Sequence, residues 1–165
     1  MNIRPERPDD IADVQAVTAA AFKDAPYSEQ TEPAIITALR EADALSLSLV
    51  ADDDGEVIGH VAFSPVTIDG KSGKWFGLGP VSVEPNRQRR GIGKALICAG
   101  LDQLRSFGAD GCVVLGDPDY YGRFGFVSGS DLTYEGVPAP YFQSLVFGGE
   151  KPNGLVAYHP GFAAR

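Results

Sequence analysis

The sequence predicts a mixed α/β domain: antiparallel hairpins first, one parallel strand–helix–strand crossover in the middle, and hairpin-like strands at the end. Three observations carry that expectation. Asp54-Gly55 and Asp69-Gly70 each separate stretches of strand character, as two-residue hairpin turns do. Val81–Leu96 reads as a strand, a turn rich in glycine and arginine, and the opening of an amphipathic helix, and Val113-Val-Leu115 follows as a buried strand. Late in the chain, 142–147 and 155–158 read as two further strands.

Taken in order, Asn2-Ile-Arg-Pro5 is a short first strand. Asp9 is placed to cap a helix in which Ile11, Val14, Ala21 and Phe22 recur at helical spacing. Thr31 is placed to cap a second helix, with Pro33 in its first turn and Ile35, Leu39 and Ala42 on one face. Leu45, Leu47 and Leu49 alternate with polar residues, and Val57, Gly59, Val61 and Phe63 line one face of the returning strand. The next strand, 75–83, contains Gly77, Gly79 and Pro80, which predicts a bulge or a close backbone approach. The central helix points Ile97, Leu101 and Leu104 inward and ends near Gly108. Asp117-Pro118 opens a short helical segment running to Phe124, and a further strand is expected near Phe126. Gly136–Pro140 is a loop.

The 165 residues are most simply one domain, 1–165. A chain of this size buries roughly 70% of its unfolded surface, so it needs no disulfide or metal staple. An apolar share of 44% is ordinary for a globular protein. No apolar run reaches bilayer length. No leader peptide is evident, which favours the cytoplasm. Cys98 and Cys112 lack metal-ligand spacing, so no metal site is expected; Cys112 opens an apolar run and reads as core. The formal net charge of −8 argues against a nucleic-acid groove.

Against that charge, Arg87, Arg89, Arg90 and Lys94 place four cations within eight residues. First-turn N–H groups of a helix have no partner inside it, and the dipole adds positive charge there. Gly91 and Gly93 let an anion approach the main chain. A P-loop is excluded: Ala95 follows Gly93-Lys94, and Gln88 stands where the first glycine belongs. A dinucleotide fingerprint is excluded too, because Leu96 occupies the third glycine position. The pyrophosphate loop Gln/Arg-x-x-Gly-x-Gly/Ala fits at every fixed position of Gln88-Arg-Arg-Gly91-Ile-Gly93.

That loop does not stand alone. Ile3-Arg4 precedes a helix ending in Ala21-Phe22, Gly79–Pro85 leads into the loop, and Tyr121, Gly125 and Phe126 match a later Tyr-x-x-x-Gly-Phe pattern. On these residues the chain resembles, over nearly its whole length, the GNAT superfamily of acetyl-CoA-dependent N-acetyltransferases. It is most similar to a branch of predicted bacterial acetyltransferases with Asp-Pro-x-Tyr-Tyr-x-Arg-Phe-Gly-Phe at this place. The resemblance implies a mostly antiparallel twisted sheet with splayed central strands and helices on both faces. It implies acetyl-CoA as cosubstrate, with the pantetheine arm in the gap between the strands. Val81 and Val83, flanking Ser82, would pair with pantetheine amides. Arg89, Arg90, Gly91, Ile92, Gly93 and Lys94, with Gln88, would hold the diphosphate. Asp117, Tyr120 and Phe124 would flank the arm from the other side.

The implied reaction is acetyl transfer to an amine of a small molecule or peptide. Main-chain N–H near Val81 would meet the developing oxyanion, and Tyr121 would protonate the leaving thiolate. An ordinary thiol lies near pKa 8.5 and a tyrosine near 10, so that proton moves uphill by roughly 2 kcal/mol unless the site shifts the balance. No acid lies between Gly77 and Val83, so the base stays open among Glu32, His60, Asp117 and a chain of waters. His60 and His159 read as structural. The competing reading is a non-catalytic acyl-CoA-binding module. Exposed late strands permit a homodimer.

Overall fold

A computed structural model describes residues 1–165, and the chain divides into two compact units. The first comprises Met1–Phe63, Gly79–Gly100 and Pro160–Arg165; the second comprises Ser64–Leu78 and Leu101–His159. The strands are β1 (Asn2–Pro5), β2 (Leu47–Asp53), β3 (Glu56–Ile68), β4 (Lys71–Val83), β5 (Gly111–Leu115), β6 (Leu132–Thr133), β7 (Phe142–Val146) and β8 (Gly154–Tyr158). The helices are α1 (Ile11–Phe22), α2 (Glu32–Glu41), α3 (Ile92–Ser106) and α4 (Pro118–Tyr121). The strands make an eight-stranded, mostly antiparallel sheet, as the hairpin signals require.

In the first unit β1 pairs antiparallel with β2 (Ile3↔Ala51), and β2 with β3 (Leu49↔Val61). The β2–β3 turn has Asp54 and Gly55 at φ 53° and 89°, the left-handed pair that matches strand twist. Val14, Val17, Ile36, Val50 and Val57 form one apolar cluster; Ile35, Leu39 and Ala44 form another, beside Phe162. Asp9 does not cap α1. Pro8 opens a 3-10 turn one step ahead of the helix, and Asp10 accepts the Arg7 N–H at 2.7 Å instead. Asp10 also accepts from Arg4 Nη1 at 2.7 Å, and that bond holds its carboxyl down at about 2. Arg4 Nε reaches Asp52 at 3.0 Å, so one guanidinium ties the first strand to the first turn and to β2. Thr31 precedes α2 as expected, but its side chain makes no capping bond.

In the second unit the parallel β4–β5 ladder runs from Trp75↔Gly111 to Gly77↔Val113, and β5 pairs antiparallel with β7 (Val114↔Gln143). β8 pairs with β3 (Val66↔Tyr158) and, in parallel, with β6. Val66, Trp75, Val113, Leu132, Phe142 and Val156 form the core, and Tyr134 stacks on Phe142 at 5.6 Å. The strand expected near Phe126 is absent. Gly125 at φ 98° turns the chain, and only the Val127↔Ser144 bridge follows. Phe126 is instead a buried plug beside Tyr121. Buried Cys112 is core as expected, and burial pushes its thiol well above the ordinary range. No helix is long and apolar enough to cross a membrane.

Candidate active site

The first unit carries the glycine turn. β4 takes a positive φ of 134° at Gly79 and continues through half-buried Val81, buried Ser82 and half-buried Val83. The Glu84 N–H then donates to Ile58 O at 2.9 Å, fixing the strand end against β3. A 3-10 turn, Pro85–Arg87, leads to Gln88, whose Nε2 donates back to Val83 O at 3.1 Å. Arg89 and Gly91 take φ 66° and 81° on either side of Arg90. Alternation into left-handed backbone is how successive N–H groups are turned toward one side, as an anion nest requires. Ala95 N–H donates to Gly91 O at 3.0 Å and closes the first turn of α3. The N–H groups of Ile92, Gly93 and Lys94 precede that bond and are the helix's open donors. A Cβ on Gly91 would meet nothing within 4 Å, so backbone angle rather than room demands glycine there.

The loop cations do not act alike. Arg87 donates to Asp53 Oδ2 at 2.7 Å and to Glu56 Oε2 at 3.4 Å, and these carboxylates hold its charge firmly. Arg87 thus braces the loop against the β2–β3 hairpin. Arg89, Arg90 and Lys94 are exposed.

Packing sets where α3 begins. Ile92 is buried, and a Cβ on Gly59 would lie 3.2 Å from its Cγ2 and 3.0 Å from Leu96 Cδ1. One turn further on, a Cβ on Gly100 would lie 2.2 Å from Phe63 Cε1. Two glycines thus let helix and strand close on each other and hold the turn in place. Sequence reading did not single out Gly100; a glycine in a helix interior costs about 1 kcal/mol against alanine, which is the signal that it serves packing.

His60 is fully buried, and its Nε2 lies 2.8 Å from Ser48 Oγ. Burial first, then the Arg40 charge, lowers its pKa to about 3. Such an imidazole stays neutral at pH 7, and it is about seven units too weak to deprotonate a lysine-like ammonium near 10.4. His60 is therefore a poor base for such an amine. A stability signature follows. The folded pKa lies below the ordinary 6.5, so only the unfolded chain takes this proton as the pH falls. The stability is present above 6.5 and drains away on descent toward 3. Chemical denaturation should show about 2–3 kcal/mol lost to this group between pH 6.5 and 4.5. His60→Gln should flatten that slope; an unchanged slope would refute the assignment. Glu32, a second base candidate, accepts from Ser28 Oγ at 2.6 Å at the start of α2.

The second unit carries α4. Asp117 caps it, accepting the Asp119 N–H at 2.9 Å. Tyr121 is half-buried at the end of α4, and its ring meets Tyr120 edge-on at 5.0 Å and Phe126 at 6.1 Å. Tyr120 also meets Phe124 at 5.6 Å, and the Arg123 guanidinium covers the Tyr120 ring at 4.7 Å. The Tyr121 ring lies directly on Gly116: a Cβ there would be 2.5 Å from Cε2. The expected residues Val81, Ser82, Val83 and Gln88–Lys94 are therefore gathered in the first unit, and Asp117, Tyr120, Tyr121 and Phe124 in the second.

Comparison with known proteins gives this geometry a context. A model of the acetyltransferase (GNAT) family matches residues 14–126. The N-acetyltransferase YhbS of Escherichia coli (strain K12) is 41% identical over 127 residues, covering 76% of this chain and 73% of the relative. The crystal structure of a GNAT family acetyltransferase from Brucella melitensis in complex with acetyl-CoA is similar with a TM-score of 0.88. It is 55% identical and covers 98% of this chain and 97% of that one. The crystal structure of Escherichia coli YhbS in complex with CoA has a TM-score of 0.90 at 36% identity, covering 98% and 91%.

Proposed function

We propose a division of labour among these residues that starts from one premise: the chain belongs to the GNAT acetyltransferase family. It is an N-acetyltransferase that moves an acetyl group from acetyl-CoA to an amine. The observation that carries the division is the turn 88–94: left-handed Arg89 and Gly91, open first-turn donors, and Arg90 and Lys94 exposed beside them.

In this reading the main-chain N–H groups from Arg89 through Lys94 grip the diphosphate of acetyl-CoA, and Arg90 and Lys94 neutralise its charge. The main chain of Val81 and Val83 pairs with the pantetheine amides, and Asp117, Tyr120 and Phe124 line the arm. The acceptor nitrogen, already deprotonated, attacks the thioester carbon. Main-chain N–H near Val81 holds the charge that gathers on the carbonyl oxygen. The carbon–sulfur bond breaks, Tyr121 gives its phenolic proton to the leaving sulfur, the nitrogen sheds its extra proton to water, and the Tyr121 phenolate takes a proton back from water. The products are the acetylated amine and CoA thiol. The acceptor is a small-molecule or peptide amine.

Calorimetry with acetyl-CoA, followed by thiol release across a panel of amines, tests the proposal. Saturable binding in the micromolar to millimolar range and turnover above background hydrolysis are expected. Binding without turnover on any amine would sink the catalytic reading.

A further inference from the structure

Gln143 stands in the middle of β7, opposite Val114 of β5, and its side chain is sealed from solvent. Its Nε2 donates to Gly116 O at 3.1 Å. The amide cannot be turned over, because two carbonyl oxygens would then face each other. Its Oε1 is buried with no hydrogen-bond partner. An unmet buried acceptor costs stability that a leucine of similar size would not. Packing alone therefore does not account for an amide at this place.

What the amide holds is the corner between β5 and α4. The Gly116 N–H donates to Tyr141 O at 2.9 Å, and its carbonyl receives Gln143. Gly116 is pinned from both sides by the segment that runs into and along β7. It is also the residue on which the Tyr121 ring rests, with no room for a methyl group between them. A shift of the Gly116 peptide must move that ring.

We propose that Gln143 is a positioning residue for acetyl transfer, fixing the Gly116 peptide and through it the Tyr121 hydroxyl. The proposal rests on the reading of Tyr121 as proton donor to the leaving sulfur. A group displaced by a fraction of an ångström from the reacting atoms loses rate while ligand binding persists. Loosening Gly116 is thus a kcat effect, not an affinity effect.

The test is a double-mutant cycle on the full chain, with acetyl-CoA and whichever amine supports turnover. Q143M is expected to lower kcat about tenfold and leave the acetyl-CoA KM within about twofold. Y121F lowers kcat on its own. In the Y121F background, adding Q143M should cost less than about twofold, because the group it positions is gone. A general packing defect would cost the same in both backgrounds, and that outcome overturns the proposal. Wild-type kcat in Q143M with an impaired Y121F overturns it as well, and leaves the role of Tyr121 standing. Wild-type kcat in Y121F removes the premise itself. Should Q143M fail to fold, Q143L carries the same cycle with a branched side chain of similar volume.

Discussion

Gly91→Glu will lose acetyl-CoA affinity by about 100-fold or more. The expectation is electrostatic. A carboxylate about 5 Å from one phosphate charge costs about 3 kcal/mol at an effective dielectric near 20, which is roughly two orders of magnitude in Kd. A side chain there is free to project, since a Cβ on Gly91 meets nothing within 4 Å. Strain must be separated from charge, because Gly91 sits at φ 81°. Left-handed backbone costs an L-residue about 1–2 kcal/mol. Gly91→Ala carries that strain without the charge, and should lose less than about tenfold in affinity. Calorimetry on both variants decides: equal losses would mean that loop geometry, not anion repulsion, explains the effect. Both variants carry the same backbone strain, so each should melt about 2–8 °C below wild type and by a similar amount.

Tyr121→Phe will lower kcat by roughly 10²-fold, the lower end of what a positioned acid contributes, with acetyl-CoA affinity unchanged within about twofold. The substitution keeps the ring on Gly116 and beside Phe126, so packing is preserved and only the hydroxyl is lost. Because the proton transfer from an ordinary tyrosine to a thiolate is uphill, a smaller loss would fit a hydroxyl that hydrogen-bonds the sulfur without giving up its proton. Gly116→Ala reaches the same group from beneath: its methyl would lie 2.5 Å from the ring and must displace it. Steady-state kinetics on both variants measures this. Full activity in Tyr121→Phe would reduce Tyr121 to a packing residue.

Local chemistry was legible in the sequence, and partnerships across the chain were not. Asp54-Gly55 and Asp69-Gly70 announced their hairpins because the left-handed turn is a property of adjacent residues. The glycine turn and the Tyr121 segment were legible for the same reason. Asp9 reads as a cap from its neighbours alone, whereas the convergence of Arg4 and Arg7 on Asp10 is not visible in the sequence. That Arg87 alone of the four clustered cations is engaged by Asp53 is not visible in the sequence, because the two lie 34 positions apart. Gln143 attracted no notice, for its carbonyl partner Gly116 is 27 positions distant. Gly100 does not reveal its partner in the sequence, because Phe63, the ring it makes room for, is distant along the chain. In each case the deciding contact is between segments that only folding brings together.

The grip on the diphosphate can be read most directly from the amides that make it. In ¹⁵N-labelled protein, titration with CoA should shift the backbone resonances of Arg89, Arg90, Gly91, Ile92, Gly93 and Lys94, saturably and with one Kd. Pantetheine, which lacks the diphosphate, should leave them in place. If CoA saturates the protein while those amides stay fixed and others move, the diphosphate lies elsewhere and the assignment of the glycine turn is contradicted.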